Sequence, residues 1–243
     1  MQTWGLTDPG NIRQQNQDAY AIVPFGRDRV LMIVCDGMGG AKSGNVASSL
    51  AVEVFTDEVR RTQKAGMSPE KASAMLRSAL ELANRAVYEQ SQLSEDFTGM
   101  GTTLVAAWLN RDLAVIINVG DSRAYHFTKE DVRLVTRDHS MVAYMVERGE
   151  LTQEQAKLHP GKNVITRAVG TEPEVEGDVF TCRLRRDECI LLCSDGLSNE
   201  MADQEMLFEV VHGLNKSDCC QRLLHIAQKR GAPDNVTVTL AAV

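Results

Sequence analysis

Two of the most apolar runs in the chain stop in the same way. Val30-Leu31-Met32-Ile33-Val34-Cys35 ends on Asp36-Gly37, and Ile190-Leu191-Leu192-Cys193 ends on Ser194-Asp195-Gly196. An unbroken apolar run bounded by turn-forming residues is the pattern of a strand covered on both faces. A carboxylate at its end, followed by glycine, lets the backbone approach an ion or a phosphate closely. Three further acidic islands, Asn16-Gln17-Asp18, Gly120-Asp121-Ser122-Arg123 and Asp234-Asn235, lie at or beside the edges of other strand-like runs. A sheet that gathers these ends crowds carboxylates together, where they raise one another's pKa unless cations neutralise them. Hard divalent cations such as Mg2+ and Mn2+ take carboxylate, carbonyl and water oxygens. The islands point to two-metal hydrolase chemistry.

Around them the pattern is mixed. Val46, Ala47, Leu50, Ala51, Val54, Phe55 and Val59 keep to one face of a helix expected over roughly Gly44–Arg61. Ser68-Pro69-Glu70 supplies an N-cap, a proline at N1 and an acid in the first turn of a helix running to about Gln90. The middle reads as strands over Thr102–Leu109, Leu113–Val119, Arg123–Phe127 and Val132–Val135, with Asn110-Arg111-Asp112 a hairpin-length turn. After His139 the spacing turns helical. Gly149 stops one short helix, and Thr152 with Gln155 forms a capping box that opens another. The segment from about 139 to 170 reads as an insertion lying on the domain. A strand over Cys189–Cys193, helices around Ala202–Val211 and Ser217–Arg230, and a strand from Val236 complete the chain. Helices bracketing many antiparallel strands suggest a sheet-on-sheet core covered by helices. Because the islands come from both halves, residues 1–243 are expected to form one domain.

Bulk properties exclude several classes. The formal charge of -7 over 243 residues disfavours a polyanionic partner such as nucleic acid. The start has no basic flank or apolar signal core, and no apolar run reaches membrane-spanning length, so a cytoplasmic protein with no membrane partner is expected. The six cysteines show no CxxC pair or zinc-like Cys/His spacing and read as buried thiols.

Taken singly, the islands have bland alternatives. Asp36-Gly37-Met38-Gly39-Gly40 can be a glycine turn with a solvated aspartate, although the Gly37 carbonyl suits a hard cation. Asp121 can sit in an Asx-type turn, and Asp234 in a turn after Gly231 and Pro233. Arg13 can clamp a phosphate through its planar fork, or can simply be a surface arginine.

As an ordered set, the islands resemble the metal-dependent protein phosphatases, the type 2C Ser/Thr phosphatases, especially their compact bacterial members. The matching stretches are Gly5-Leu6-Thr7-Asp8, Arg13 through Asp18, Val34 through Gly40, Gly99-Met100-Gly101-Thr102-Thr103, Val119 through Arg123, Asp138-His139-Ser140, Leu192 through Leu197 and Asp234 through Thr237. They cover essentially the whole chain in order. The resemblance implies an α+β fold of four layers, α-β-β-α, with a central antiparallel β-sandwich. It implies that Asp36 bridges two cations, Mg2+ or Mn2+, with the Gly37 carbonyl and Asp18 serving one and Asp195 and Asp234 the other. Asp121 and Asp195 would hold a possible third. Arg13 matches the phosphate-binding arginine, and Asp36 and Arg13 are the residues expected to carry catalysis. Residues 139–170 match a mobile flap beside the site.

The implied reaction is hydrolysis of phosphoserine and phosphothreonine by a metal-activated water, with no covalent intermediate. Phosphorylated proteins, among them a Ser/Thr kinase and its substrates, are the expected partners, and a monomer the expected state. The chain departs from the family at the glycine-rich loop. Many relatives carry a histidine where this chain has Met38 or Ala41, which leaves the leaving-group acid open, with Lys42 and His159 nearby only in sequence or by analogy. Two other classes fit less well. A catalytically weak binding module is disfavoured by the intact carboxylate set, and a serine hydrolase by the lack of a Gly-x-Ser-x-Gly elbow around Ser122 or Ser194.

Overall fold

In the computed structural model, which describes residues 1–40 and 43–243, the run ending at Asp36 is an interior strand of a sheet. In chain order the strands and helices are β1 (Gln2–Asp8), β2 (Asp18–Pro24), β3 (Arg29–Met38), α1 (Gly44–Thr62), α2 (Pro69–Ser91), β4 (Gly101–Thr102), β5 (Leu104–Asn110), β6 (Leu113–Val119), β7 (Arg123–Phe127), β8 (Val132–Leu134), α3 (Met141–Glu147), α4 (Gln153–Leu158), β9 (Asp178–Arg183), β10 (Cys189–Cys193), α5 (Asp195–Ser198), α6 (Asp203–His212), α7 (Cys219–Lys229) and β11 (Val236–Ala242). One sheet has the order β1-β11-β10-β7-β8, the other β2-β3-β5-β6-β9, with β4 also paired to β3. All named pairings are antiparallel.

The alternation of side chains along each strand divides the interior into three apolar layers. Leu31, Ile33 and Cys35 of β3, with Leu104, Ala106 and Trp108 of β5, pack under α1 and α2. Their neighbours Val30, Met32, Val34, Val105, Ala107 and Leu109 face the other sheet, meeting Ala124, Ile190, Leu192 and Ala241. On that sheet's far side Tyr125, Leu191, Cys193, Val236, Val238 and Leu240 pack against α6 and α7 through Met206, Val210 and Leu223. This is the expected four-layer α-β-β-α sandwich, and it explains why the run before Asp36 shows no polar alternation.

Local signals set the helix starts. The Ser68 hydroxyl accepts from the Lys71 N–H with Pro69 at the first helical position, and Thr152 and Gln155 form the expected capping box. All six cysteines are free and buried. Several expectations are corrected. The strand expected over Thr102–Leu109 is interrupted at Thr103, although the register is continuous across it (Gly37↔Thr102, Val34↔Val105). Thr103 turns its hydroxyl to the Asp36 N–H at 2.9 Å and donates its own N–H to the Asp36 carbonyl at 2.9 Å. The helix expected from Ser217 opens with a 3-10 turn over Lys216–Asp218 before α7 begins. β1 and β9 were not anticipated. Between 139 and 170 lie α3, α4 and irregular chain, closed on itself by the bridge Ser140↔Ile165 and tied to the body by the bridge Thr102↔Val169.

Antiparallel pairing decides where the acidic islands go. The start of β2 lies opposite the end of β3, so Asp18 pairs with Asp36 in register. The start of β11 likewise lies beside the ends of β10 and β1. Asp195 follows β10, Asp121 stands in the turn from β6 to β7, and Asp234 precedes β11. Strand ends distant in sequence therefore meet at one end of the sandwich.

Candidate active site

A cleft of about 260 Å3 opens at that end. Asp36, Asp121, Asp195, Asp234, Gly37 and Arg13 all line it, from five separate parts of the chain. Asp18 lies beneath it, buried, with Oδ2 accepting from Ser194 Oγ at 2.7 Å and Thr237 Oγ1 at 2.6 Å. The structure thus brings every expected site residue to one place, six around the cleft and one below its floor.

The carboxylates are electrostatically strained. Burial, then Asp18, Asp195, Asp121 and Asp234, push the Asp36 carboxyl well above its usual range. Asp18 is raised to about 6 by burial, against the stabilising hydroxyls of Thr237 and Ser194. Asp121 is raised to about 7 by burial and by Asp195 and Asp138. Asp195 is raised by burial and Asp234. Arg13 is the compensating cation lining the cleft: its Nη2 donates to Asp234 Oδ2 at 2.8 Å, and this bond raises the guanidinium pKa.

The donors fit hard divalent cations. Asp18 Oδ1 and Asp195 Oδ1 are buried oxygens with no hydrogen-bond partner, an arrangement that costs free energy unless something positive faces them. Asp195 Oδ2 already accepts from Asn199 Nδ2 at 3.0 Å, which fixes the carboxylate at the start of α5. At Gly37 a Cβ would stand 2.0 Å from the Gly44 carbonyl oxygen and 2.6 Å from that of Gln17, so only glycine passes here. Among the described residues, no three His, Cys, Asp or Glu side chains close into a ready cage. The oxygens instead ring an open cleft, the form in which waters complete the shell of a small hard cation.

Polar residues of the same motifs, to which the sequence assigned no role in the site, hold this frame. Asn235 Oδ1 accepts from the Gln17 N–H at 2.8 Å, and its Nδ2 donates to the carbonyls of Pro9 and Gln15, each at 3.0 Å. That one amide fastens the loop carrying Arg13 to the start of β11. Thr103 Oγ1 and Ser122 Oγ are 2.7 Å apart and buried, so Ser122 is a structural hydroxyl, in line with its exclusion as a nucleophile. Arg123 grips Asp138 with two nitrogens, at 3.0 Å and 2.7 Å, beside Asp121. Asn163 and Ile165 reach the cleft from the 139–170 segment. These contacts join residues far apart in sequence: Thr103, Ser122, Arg123, Asp138 and Asn235 all lie inside noted motifs, but their partners could not be read from the motifs.

Of the positions raised for the leaving-group acid, Met38 lines the cleft. Ala41 and Lys42 lie outside the described residues. His159 is not among the cleft residues, and its Nδ1 accepts from the Gly161 N–H at 3.0 Å. No helix among the described residues is long and apolar enough to cross a membrane.

Comparison with known proteins agrees with this geometry. The family model described as protein phosphatase 2C matches residues 12–233. The serine/threonine phosphatase stp of Listeria welshimeri is 37% identical over 234 residues, covering 96% of this chain and 92% of that protein. The crystal structure of the serine/threonine phosphatase Stp1 from Staphylococcus aureus superposes with a TM-score of 0.92 at 36% identity, covering 99% of this chain and 94% of the other. The catalytic domain of the serine/threonine protein phosphatase PstP, solved in complex with two manganese ions, gives a TM-score of 0.84 at 30% identity, covering 99% and 97%. With matches of this extent and the strand-end carboxylates in one cleft, the chain belongs to the protein phosphatase 2C family.

Proposed function

We propose that this metal-dependent serine/threonine protein phosphatase hydrolyses phosphoserine and phosphothreonine in proteins at the cleft between Arg13 and Asp36. The observation that carries the reading is the convergence of Asp36, Asp121, Asp195 and Asp234 around one cleft, with buried carboxylate oxygens left unpartnered. Asp36 would serve two divalent cations, Mg2+ or Mn2+. The Gly37 carbonyl and Asp18 would hold one, Asp195 and Asp234 the other, and Asp121 with Asp195 a third. When bound, such cations offset the crowded negative charge, acidify water and polarise phosphoryl oxygens.

The chain's own groups supply the remainder. Arg13 presents a planar fork to two phosphoryl oxygens and neutralises charge that grows toward the transition state. To do so it must leave Asp234, so cation binding at Asp234 and phosphate binding at Arg13 favour each other. Among the cleft residues named above, the titratable groups are Arg13 and four carboxylates, and the proton for a departing serine alkoxide comes from water in the cleft. No nucleophilic side chain is required. Asn163 and Ile165, which line the cleft, support reading residues 139–170 as a flap beside the substrate, within a single catalytic domain spanning 1–243. The partners are phosphorylated proteins, a Ser/Thr kinase and its substrates among them, met by a cytoplasmic monomer.

The test is hydrolysis of a phosphothreonine peptide by purified protein after EDTA treatment and gel filtration. Activity should be absent and return with added Mn2+ or Mg2+. Full turnover by the chelated sample would overturn the assignment.

A further inference from the structure

The turn that carries Asp121 is gripped by a residue outside the cleft. His139 is 7% exposed and stands at the near root of the 139–170 segment. Its backbone N–H donates to the Gly120 carbonyl at 2.9 Å, and its ring Nδ1 accepts from the Gly120 N–H at 3.1 Å. Both polar backbone atoms of Gly120 are thus held by one residue, with Asn118 Nδ2 adding a 3.2 Å bond to the carbonyl. Gly120 has φ +100°, and a Cβ there would meet Thr103 Cγ2 at 2.7 Å. The turn is therefore open only to glycine, which brings no side chain of its own to fix the aspartate that follows.

The ring's other nitrogen faces the far root. A Nδ1 that accepts from an N–H carries no proton, so the network assigns the proton to Nε2. Nε2 lies 3.3 Å from Asp178 Oδ2, so its proton faces that carboxylate. Arg167 Nη1, 3.2 Å from the same nitrogen, cannot donate to it in this tautomer and instead holds Asp178 Oδ1 at 3.0 Å and the Glu176 carbonyl at 2.9 Å. The His139 carbonyl accepts from the Thr166 N–H at 2.8 Å. Burial and Arg167 lower the ring's pKa, in keeping with a neutral imidazole. One residue, through its backbone and its ring, thus joins the Gly120-Asp121 turn, both roots of the segment and the start of β9.

We propose that His139 is a positioning residue that aims the Asp121 carboxylate through Gly120 and couples that carboxylate to the anchorage of the 139–170 segment. The proposal rests on the reading of Asp121 as a cation ligand. Its two halves can be separated, because asparagine carries an acceptor near the position of Nδ1 and glutamine a donor near that of Nε2.

The experiment titrates metal-free wild type, His139→Asn, His139→Gln and His139→Ala with Mn2+, following free ion by EPR, and digests each with trypsin. Gln and Ala should weaken the loosest Mn2+ position about tenfold, whereas Asn stays within about twofold of wild type. Cleavage within 148–162 should show the opposite order, with Asn and Ala cut faster and Gln resembling wild type. If Ala fails to fold, Asn and Gln carry the comparison. Normal Mn2+ uptake by wild type together with equal effects of Asn and Gln on both readouts would overturn the positioning role alone. A wild type that takes up no Mn2+ would overturn the cation reading of the site and this proposal with it.

Discussion

Arg13 and Asp234, 221 residues apart in sequence, are joined by a 2.8 Å bond from Nη2 to Oδ2. Both groups are partly open to solvent, at 54% and 32% exposure, so the pair is a weak stabiliser of the fold. Under the proposed function the pair matters for catalysis, since it parks the arginine proposed to bind phosphate on a carboxylate proposed to serve a metal. Arg13→Ala should leave the melting temperature nearly unchanged. It should lower kcat/KM on phosphopeptides about ten- to a hundredfold, the range for loss of charge-assisted hydrogen bonds. Arg13→Lys should recover only part of the loss, because lysine lacks the fork. Steady-state kinetics beside thermal denaturation checks this, and unchanged kinetics in Arg13→Ala would remove the arginine from the site.

Asp36 stands where four other carboxylates raise its pKa. Asp36→Asn removes one charge from that crowd and should make the metal-free protein as stable as wild type or more so. Activity with Mn2+ should nevertheless fall on the order of a hundredfold or more. Stability and activity moving in opposite directions is the signature to look for in a melt and an assay of one preparation.

The metal-free protein should lose stability as pH rises. Asp18 at about 6 and Asp121 at about 7 are raised above the unfolded value of roughly 3.9. Between those limits the native state binds more protons than the unfolded one, so the unfolding free energy falls with increasing pH. Urea unfolding in EDTA should show the midpoint declining from pH 4.5 to 7.5, and saturating Mn2+ should flatten or reverse the slope. A midpoint in EDTA that climbs over this range would contradict the crowding of these carboxylates.

Without a histidine at Met38, the enzyme should favour substrates whose leaving group needs no proton. Its rate on p-nitrophenyl phosphate should be high relative to that on a phosphoserine peptide, because a serine alkoxide is far more basic than p-nitrophenolate. Met38→His should raise the peptide rate more than the aryl rate and add a titration near 6.5, roughly the ordinary histidine value. Equal responses on both substrates would mean that water supplies the proton as well as an imidazole would.

The parts of the molecule legible in the sequence were those written in local pattern. β3 and β10 announced themselves because both faces are buried, and α2 because Ser68 and Pro69 mark its first turn. β1 did not, since Gln2–Asp8 is half-exposed along most of its length and carries a glycine and two threonines. β9 lies at the edge of its sheet and mixes Asp178, Thr181 and Arg183 with apolar residues. In the site, the aspartates were legible from their places at strand ends. The roles of the groups that hold them were not: Thr103, Ser194, Thr237 and His139 lie in the matching stretches, yet what each does arises only across tertiary hydrogen bonds.

The position of β11 between β1 and β10 has a consequence for the life of the protein in the cell. Asp18 receives one of its two hydroxyl bonds from Thr237, and the loop bearing Arg13 is fastened by Asn235. A nascent chain on the ribosome that has not yet released these residues lacks Asp234, the anchor of the arginine loop and the strand that joins the first β-segment to its sheet. Phosphatase activity should therefore wait until residues 234–237 have left the ribosome, and fragments that stop before them should be unable to strip phosphate from neighbouring proteins.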